Sequence, residues 1–238
     1  MKRLILIPAF NEQEALPLTL KELLPTLDAE TDVLVINDGS SDNTAEMGRL
    51  NGALVLSLPF NLGIGGALRA GFKYAKQHSY QQAVQFDADG QHRPEAVPAL
   101  WEALDSGADL VIGNRFAGQA EYKVSWARGT AMAGLRAVFR LYTKREFSDT
   151  SSGFRGFGAR TISLFADRYP VEYMESTESL MYACISGLNV VEVPCVMHHR
   201  VAGTASNRRG RLAFHYIRLF LVLVTNRRNV VRVDQVAP

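Results

Sequence analysis

The stretch Arg3–Asp38, "RLILIPAFNEQEALPLTLKELLPTLDAETDVLVIND", decides the fold. It opens with the short apolar run Leu4 to Ile7, which reads as a buried strand. "EQEALPLTLKELLPTL" then carries leucines at helical spacing, and "DVLVIND" is a second apolar run of strand length. Strand, helix and strand in succession make a parallel crossover unit. Working outward, the alternation continues. "SDNTAEMGRLNG" predicts a helix with Ser41 or Asp42 as its N-cap, and "ALVLSL" a third strand. "GIGGALRAGFKYAKQH" predicts a glycine-opened helix, "QAVQFD" a fourth strand, "RPEAVPALWEALDSG" a helix begun by proline, and "ADLVIGNR" a fifth strand. Such a chain forms an α/β domain with a mostly parallel sheet covered on both faces.

Composition sets the outer bounds. At 238 residues and 47% hydrophobic content the chain can bury a proper core, and its net charge of +2 carries no general nucleic-acid signature. The apolar run near the N-terminus is too short for a secretory leader, and no stretch reaches the length of a spanning helix. A cytoplasmic setting is expected, with Cys184 and Cys195 as reduced thiols.

In open parallel sheets, ligands bind beyond the carboxyl ends of the strands. The polar residues collect at those ends. The first strand leads to Pro8, Asn11 and Glu12, the second to Asn37 and Asp38, the fourth to Asp87 and Asp89, the fifth to Asn114 and Arg115. Any one of these could be a turn or cap residue, but their convergence on one edge points to a site.

Within that set, "FDADGQH" (Phe86–His92) is the most informative segment. Asp87 and Asp89 would point the same way on an extended chain and would repel. A hard divalent cation, Mg²⁺ or Mn²⁺, resolves the conflict, because such ions take carboxylate and amide oxygens and keep positions for phosphate oxygens. Asp89 and Gln91 are the expected ligands, with Asp87 nearby. A calcium EF-hand loop is excluded, since no glutamate falls at its twelfth position. "NLGIGGALRAG" (Asn61–Gly71) fits neither the dinucleotide fingerprint nor a Walker loop, so its glycines read first as a tight turn and close helix packing.

Taken in order, "PAFNEQE" (Pro8–Glu14), "INDGSSDNT" (Ile36–Thr44), "NLGIGGALRAG", "FDADGQH", "GNR" (Gly113–Arg115) and "DTSSGFRGF" (Asp149–Phe157) resemble the family 2 glycosyltransferases. The resemblance runs over roughly residues 3–205 and is closer to the dolichyl- or polyprenyl-phosphate sugar synthases. It implies a GT-A (Rossmann-like) nucleotide-sugar-binding fold over residues 1–210. It also implies an NDP-sugar donor (UDP- or GDP-sugar), Mg²⁺ or Mn²⁺, and inverting transfer to a lipid phosphate. Carried over by position, it puts Pro8, Ala9, Glu12 and Asn37 at the nucleoside, Asp38 at the base, and Asp87 at ribose and diphosphate. Asp89 and Gln91 fall at the metal, and Arg115, Arg128, Arg200 and Arg208 at the acceptor phosphate. Asn37 departs from the family's usual acid and adds no charge, while Arg208 or Arg209 stands where a lysine is expected.

A lipid phosphate is already ionised at neutral pH and needs no strong base, whereas a sugar hydroxyl does. Glu175 and Glu178, which could equally complement a helix dipole, are the candidate bases for the second case. The second half of the chain is less regular. It predicts an amphipathic helix over 125–142, a short strand in "DTSSGFRGFG", a helix in "MESTESLMYACISG" and a strand in "NVVEVPCV". From His198 to Val233 there are eight arginines and no acid, around the apolar run Leu219–Val224. Residues 211–238 therefore read as a basic, apolar helix. It suits peripheral contact with the inner face of a membrane, or alternatively a homodimer interface.

Other functions stay open at this point: transfer to a glycan or glycolipid hydroxyl in envelope polysaccharide synthesis, or a non-catalytic nucleotide-sugar-binding subunit of a membrane complex. A nucleotidyltransferase would need a basic, glycine-rich loop after the first strand, where "PAFNEQE" is acidic.

Overall fold

The computed structural model describes residues 1–115, 139–140, 143–171 and 175–196, without the side chain of Glu175. The predicted helix over 125–142 lies almost entirely outside these residues. The C-terminal basic helix lies wholly outside them, as do Arg128, Arg200, Arg208 and Arg209.

The first half follows the predicted order. Strand β1 (Arg3–Ala9) leads through helix α1 (Ala15–Leu23) and a short 3-10 turn to β2 (Thr31–Asn37). Then come α2 (Thr44–Leu50), β3 (Leu54–Ser57), α3 (Gly63–Gln77), β4 (Gln82–Gln85), α4 (Val97–Asp105) and β5 (Leu110–Asn114). Strand β6 (Arg155–Gly158) is followed by α5 (Ala159–Arg168), α6 (Glu175–Ile185) and β7 (Val190–Pro194). Helix α5, "ARTISLFADR", has no counterpart among the elements expected from the sequence.

The strands make one sheet in the order β3-β2-β1-β4-β6-β5-β7. Pairing is parallel except at β6, which runs antiparallel to both β4 and β5. Along β1 the side chains alternate between two separate cores. Leu4 and Leu6 join Phe72, Phe157 and Phe165 on one face, while Ile5 and Ile7 join Leu16, Trp101 and Val111 on the other. All four are fully buried, which is why the strand reads as an unbroken apolar run. The connections from β1 turn to β2 on one side and, later, to β4 on the other. The crevice between their carboxyl ends is therefore the switch point where a ligand is expected.

Two glycines of α3 show why that segment needs them. A Cβ on Gly65 would lie 2.4 Å from the Pro170 carbonyl oxygen, and one on Gly71 would lie 2.6 Å from Ile36 Cδ1 on the sheet. Close packing of the helix thus accounts for both, and for Gly65 this is what the turn-and-packing reading expected.

Candidate active site at the carboxyl edge of the sheet

Two loops build one side of the edge. The loop after β1 and the loop after β2 are laced together by reciprocal hydrogen bonds. Asn11, at the left-handed φ of 55°, accepts the Ser41 N–H at 2.9 Å, and its own N–H donates to Ser40 Oγ at 3.0 Å. The Glu12 N–H donates to Thr44 Oγ1 at 2.9 Å, and the Asn43 N–H to Gln13 Oε1 at 3.1 Å. Asp42 accepts N–H bonds from Gln13 and Thr44, so it joins the loops, and α2 begins at Thr44, later than the predicted cap implied. Pro8 and Ala9 end β1 beneath this lacework, with Ala9 buried and Pro8 half-buried.

Asn37 and Asp38 are more enclosed than exposed recognition residues would be. Asn37 Oδ1 accepts the Ser40 N–H at 3.1 Å, and its amide donates to Ser57 Oγ at 3.3 Å. Asp38 is 3% exposed and accepts the Leu62 N–H at 2.7 Å, fixing the loop that starts α3. Burial raises the Asp38 carboxyl above its usual range, against the pull of the Leu62 and Gly63 N–H groups. Asn37 and Asp38 thus brace the loops at this edge of the sheet. At Gly39, whose φ is +67°, a Cβ would meet the backbone of Phe60 and Asn61 within 2.8 Å, so the neighbouring loop can close on this one.

The segment after β4 forms the centre. It does not stay extended: beyond Phe86 it turns, and Gly90 takes φ 74°. Asp87 remains partly exposed while Asp89 is 4% exposed, with its Oδ1 accepting the Gln91 N–H at 3.1 Å. The Thr19 hydroxyl donates to the Ala88 carbonyl at 2.9 Å, pinning the intervening residue to α1. His92 is wholly enclosed, and Asp87 N–H donates to its Nδ1 at 2.9 Å. Burial lowers the His92 pKa, assisted by Arg115 and opposed by Asp87 and Asp89, so all three charged groups act on one ring.

Arg115, just past β5, supplies the positive side. Its Nε and Nη2 donate to the two carboxylate oxygens of Asp149 at 2.7 and 2.8 Å, and Nη2 also reaches Ser151 Oγ at 3.0 Å. Asp149 has no exposed side-chain surface. Burial raises its pKa, but the hydrogen bonds and charge of Arg115 outweigh this and hold the carboxyl below the usual range. Glu192 on β7 accepts the Ser148 and Asp149 N–H groups, each at 2.9 Å, and so anchors the same loop. That loop then returns to Asp87, since a Cβ on Gly153 would lie 3.5 Å from Asp87 Oδ2.

The motif "DTSSGFRGF" carries two site residues to which the sequence assigns no role. Asp149 is one. Arg155 is the other, 1% exposed between Phe154 and Phe157, donating to the carbonyls of Thr150 and Ser176 and to Ser179 Oγ. A cation inside the apolar "GFRGF" is the available signal. Arg155 ties the Asp149 loop to α6, the helix that also carries the half-buried Glu178.

The donor set at the turn suits a hard cation. It consists of carboxylate and amide oxygens from Asp87, Asp89 and Gln91, with no sulfur. Among the described residues no three His, Cys, Asp or Glu side chains gather closely enough to hold a metal by themselves.

The fold and this edge define a nucleotide-sugar transferase architecture, and the chain belongs to glycosyl transferase family 2, matching it over residues 4–165. It is 33% identical over 220 residues to undecaprenyl-phosphate mannosyltransferase of Micrococcus luteus, spanning 88% of this chain and 89% of that protein. It is 30% identical over 217 residues to polyprenol monophosphomannose synthase of Mycolicibacterium smegmatis, spanning 86% and 80% respectively. Among solved structures, glucosyl-3-phosphoglycerate synthase of Mycobacterium tuberculosis, in complex with Mn²⁺, UDP and phosphoglyceric acid, superposes with a TM-score of 0.71. That match has 21% identity and covers 94% of this chain and 78% of the other, and it establishes the shared GT-A fold.

Proposed function

We propose that this protein is an inverting, metal-dependent glycosyltransferase that moves a sugar from an NDP-sugar to polyprenyl or dolichyl phosphate. The observation that carries the reading is that the Asp87–His92 turn after β4 and Arg115 after β5 lie at the same carboxyl edge of the sheet in a family 2 fold. The names of the relatives, undecaprenyl-phosphate mannosyltransferase and polyprenol monophosphomannose synthase, support the acceptor class and make mannose the first sugar to try.

In this reading Pro8, Ala9, Glu12, Asn37 and Asp38 border the nucleoside, and Asp87 faces ribose and diphosphate. Asp89 and Gln91 would hold Mg²⁺ or Mn²⁺, which when bound supplies Lewis-acid charge for the departing diphosphate. Arg115 presents a fixed guanidinium to the acceptor phosphate, with Arg128, Arg200 and Arg208 assigned to the same anion. An ionised phosphate attacks without proton removal, so Glu178 is needed as a base only if the acceptor is a hydroxyl. Among the described residues no helix is long and apolar enough to cross a membrane. We assign membrane contact at the cytoplasmic face to the basic, apolar stretch over residues 211–238.

Calorimetric titration with UDP and GDP, each with and without Mn²⁺, tests the donor side. Transfer of labelled sugar to polyprenyl phosphate, compared with a glycolipid hydroxyl acceptor, tests the rest. Metal-dependent binding of one nucleotide and labelling of the lipid phosphate are expected. Binding of neither nucleotide would reduce the resemblance to fold alone.

A further inference from the structure

No step of the transfer calls on His92, yet this side chain sits at the centre of the turn that would hold the metal. Its position is unusually determined. The Asp87 N–H donates to Nδ1, so Nδ1 is the unprotonated nitrogen and the neutral ring carries its proton on Nε2. The ring is wedged between two apolar partners, Phe86 at 5.4 Å and Phe154 at 4.8 Å between centroids, and has no exposed surface. Among the described residues, buried Nε2 has no hydrogen-bond partner, and it faces Asp87 Oδ2 at 3.4 Å. On the other side, Gln85 Nε2 donates to Asp87 Oδ1 at 3.3 Å. Both oxygens of the Asp87 carboxylate therefore have a side-chain nitrogen beside them, one of them hydrogen-bonded.

We propose that His92 is the positioning residue of the metal turn. It closes the Asp87–His92 segment from within, through its Nδ1, while its Nε2 lies beside the Asp87 carboxylate. This rests on the reading of Asp89 and Gln91 as metal ligands. The hydrogen bond from the Asp87 N–H to His92 Nδ1 joins the turn's two ends directly. Its middle is pinned by Thr19 at Ala88 and by the local Asp89–Gln91 bond, and Gly90 contributes only conformational freedom. Without the Nδ1 acceptor, the partly buried Asp87 N–H loses its partner and the segment can relax away from the geometry a small cation demands.

Two near-isosteric substitutions separate positioning from simple filling. In His92→Asn the amide oxygen falls near the place of Nδ1 and can accept the Asp87 N–H. In His92→Gln the amide NH₂ falls near Nε2 and faces Asp87 Oδ2, and the Nδ1 acceptor is lost although size and polarity remain. Mn²⁺ binding is read directly by the electron paramagnetic resonance signal of the free ion, with UDP and then GDP present at fixed concentration. Thermal unfolding midpoints of both variants serve as a folding control. The expected result is Mn²⁺ affinity in the Asn variant within about threefold of the unmodified protein, and a loss of about tenfold or more in the Gln variant. Nucleotide affinity without metal should hardly change in either. Equal Mn²⁺ affinity in the two variants, whether both retained or both lost, overturns the positioning role. Failure of the unmodified protein to bind Mn²⁺ with either nucleotide defeats the metal reading itself, and the proposal falls with it.

Discussion

Replacing Asp149 by Asn tests the electrostatic frame of the site most directly. The carboxylate is fully enclosed and accepts two hydrogen bonds from the Arg115 guanidinium, and a third group, the Ser151 N–H, lies 3.3 Å from its Oδ1. An amide in its place keeps one acceptor but turns an NH₂ group toward a donor-only guanidinium. Breaking a fully buried ion pair costs about 3–5 kcal/mol. Here Arg115 keeps 34% of its side chain exposed and can recover hydration, so the lower figure for a charged hydrogen bond applies, about 2 kcal/mol. In a chain of this size that lowers the thermal midpoint by roughly 4–8 °C. The pH dependence follows from the direction of the pKa shift. Asp149 is held below the ordinary carboxylate value of 3.8, so its contribution is complete above that value and fades as pH falls through the lower, folded-state pKa. Urea unfolding of both proteins from pH 7 down to pH 3 should therefore show a constant difference above about pH 5 that shrinks below about pH 4. A difference under about 0.5 kcal/mol at pH 7, or one that does not diminish in acid, would refute the pairing.

Other consequences are equally open to measurement. Asp89→Asn should cost at least about a hundredfold in metal-dependent transfer while the circular dichroism spectrum is retained; unchanged turnover would remove Asp89 from the metal site. Gly65→Ala should destabilise the protein by about 1–3 kcal/mol in urea titration, because the added methyl meets the Pro170 carbonyl oxygen at 2.4 Å and backbone must shift. Burial pushes the Cys184 and Cys195 thiols up to about 11, so iodoacetamide at pH 7.5 should label neither in the native protein and both after unfolding. Rapid native labelling would contradict their enclosure.

The parts of the fold that are legible in the sequence share a physical cause. Parallel strands buried on both faces must be apolar at successive positions, so "LILI" and "VLVI" mark β1 and β2 without any knowledge of their partners. Their polar ends must fall at one edge, since every crossover returns the chain in the same direction. That constraint is enough to place Pro8, Asn37, Asp87 and Arg115 together. Local chemistry also fixes the oxygen-donor character of "FDADGQH" and the packing glycines of α3.

What the tertiary structure alone decides depends on pairs distant in the chain. Nothing local says that β6 enters antiparallel between β4 and β5, because that placement is made by contacts such as Ala83 opposite Phe157 and Ile112 opposite Arg155. The same insertion carries the Asp149 loop to Arg115 and Gly153 to Asp87, turning an unassigned motif into the counter-charge of the site. In sequence, His92 is only the residue that follows "DADGQ"; burial between Phe86 and Phe154 gives its ring one orientation. A single sequence records which groups can bond or carry charge; which of them meet, and at what cost in lost water, is set only when the sheet brings them together.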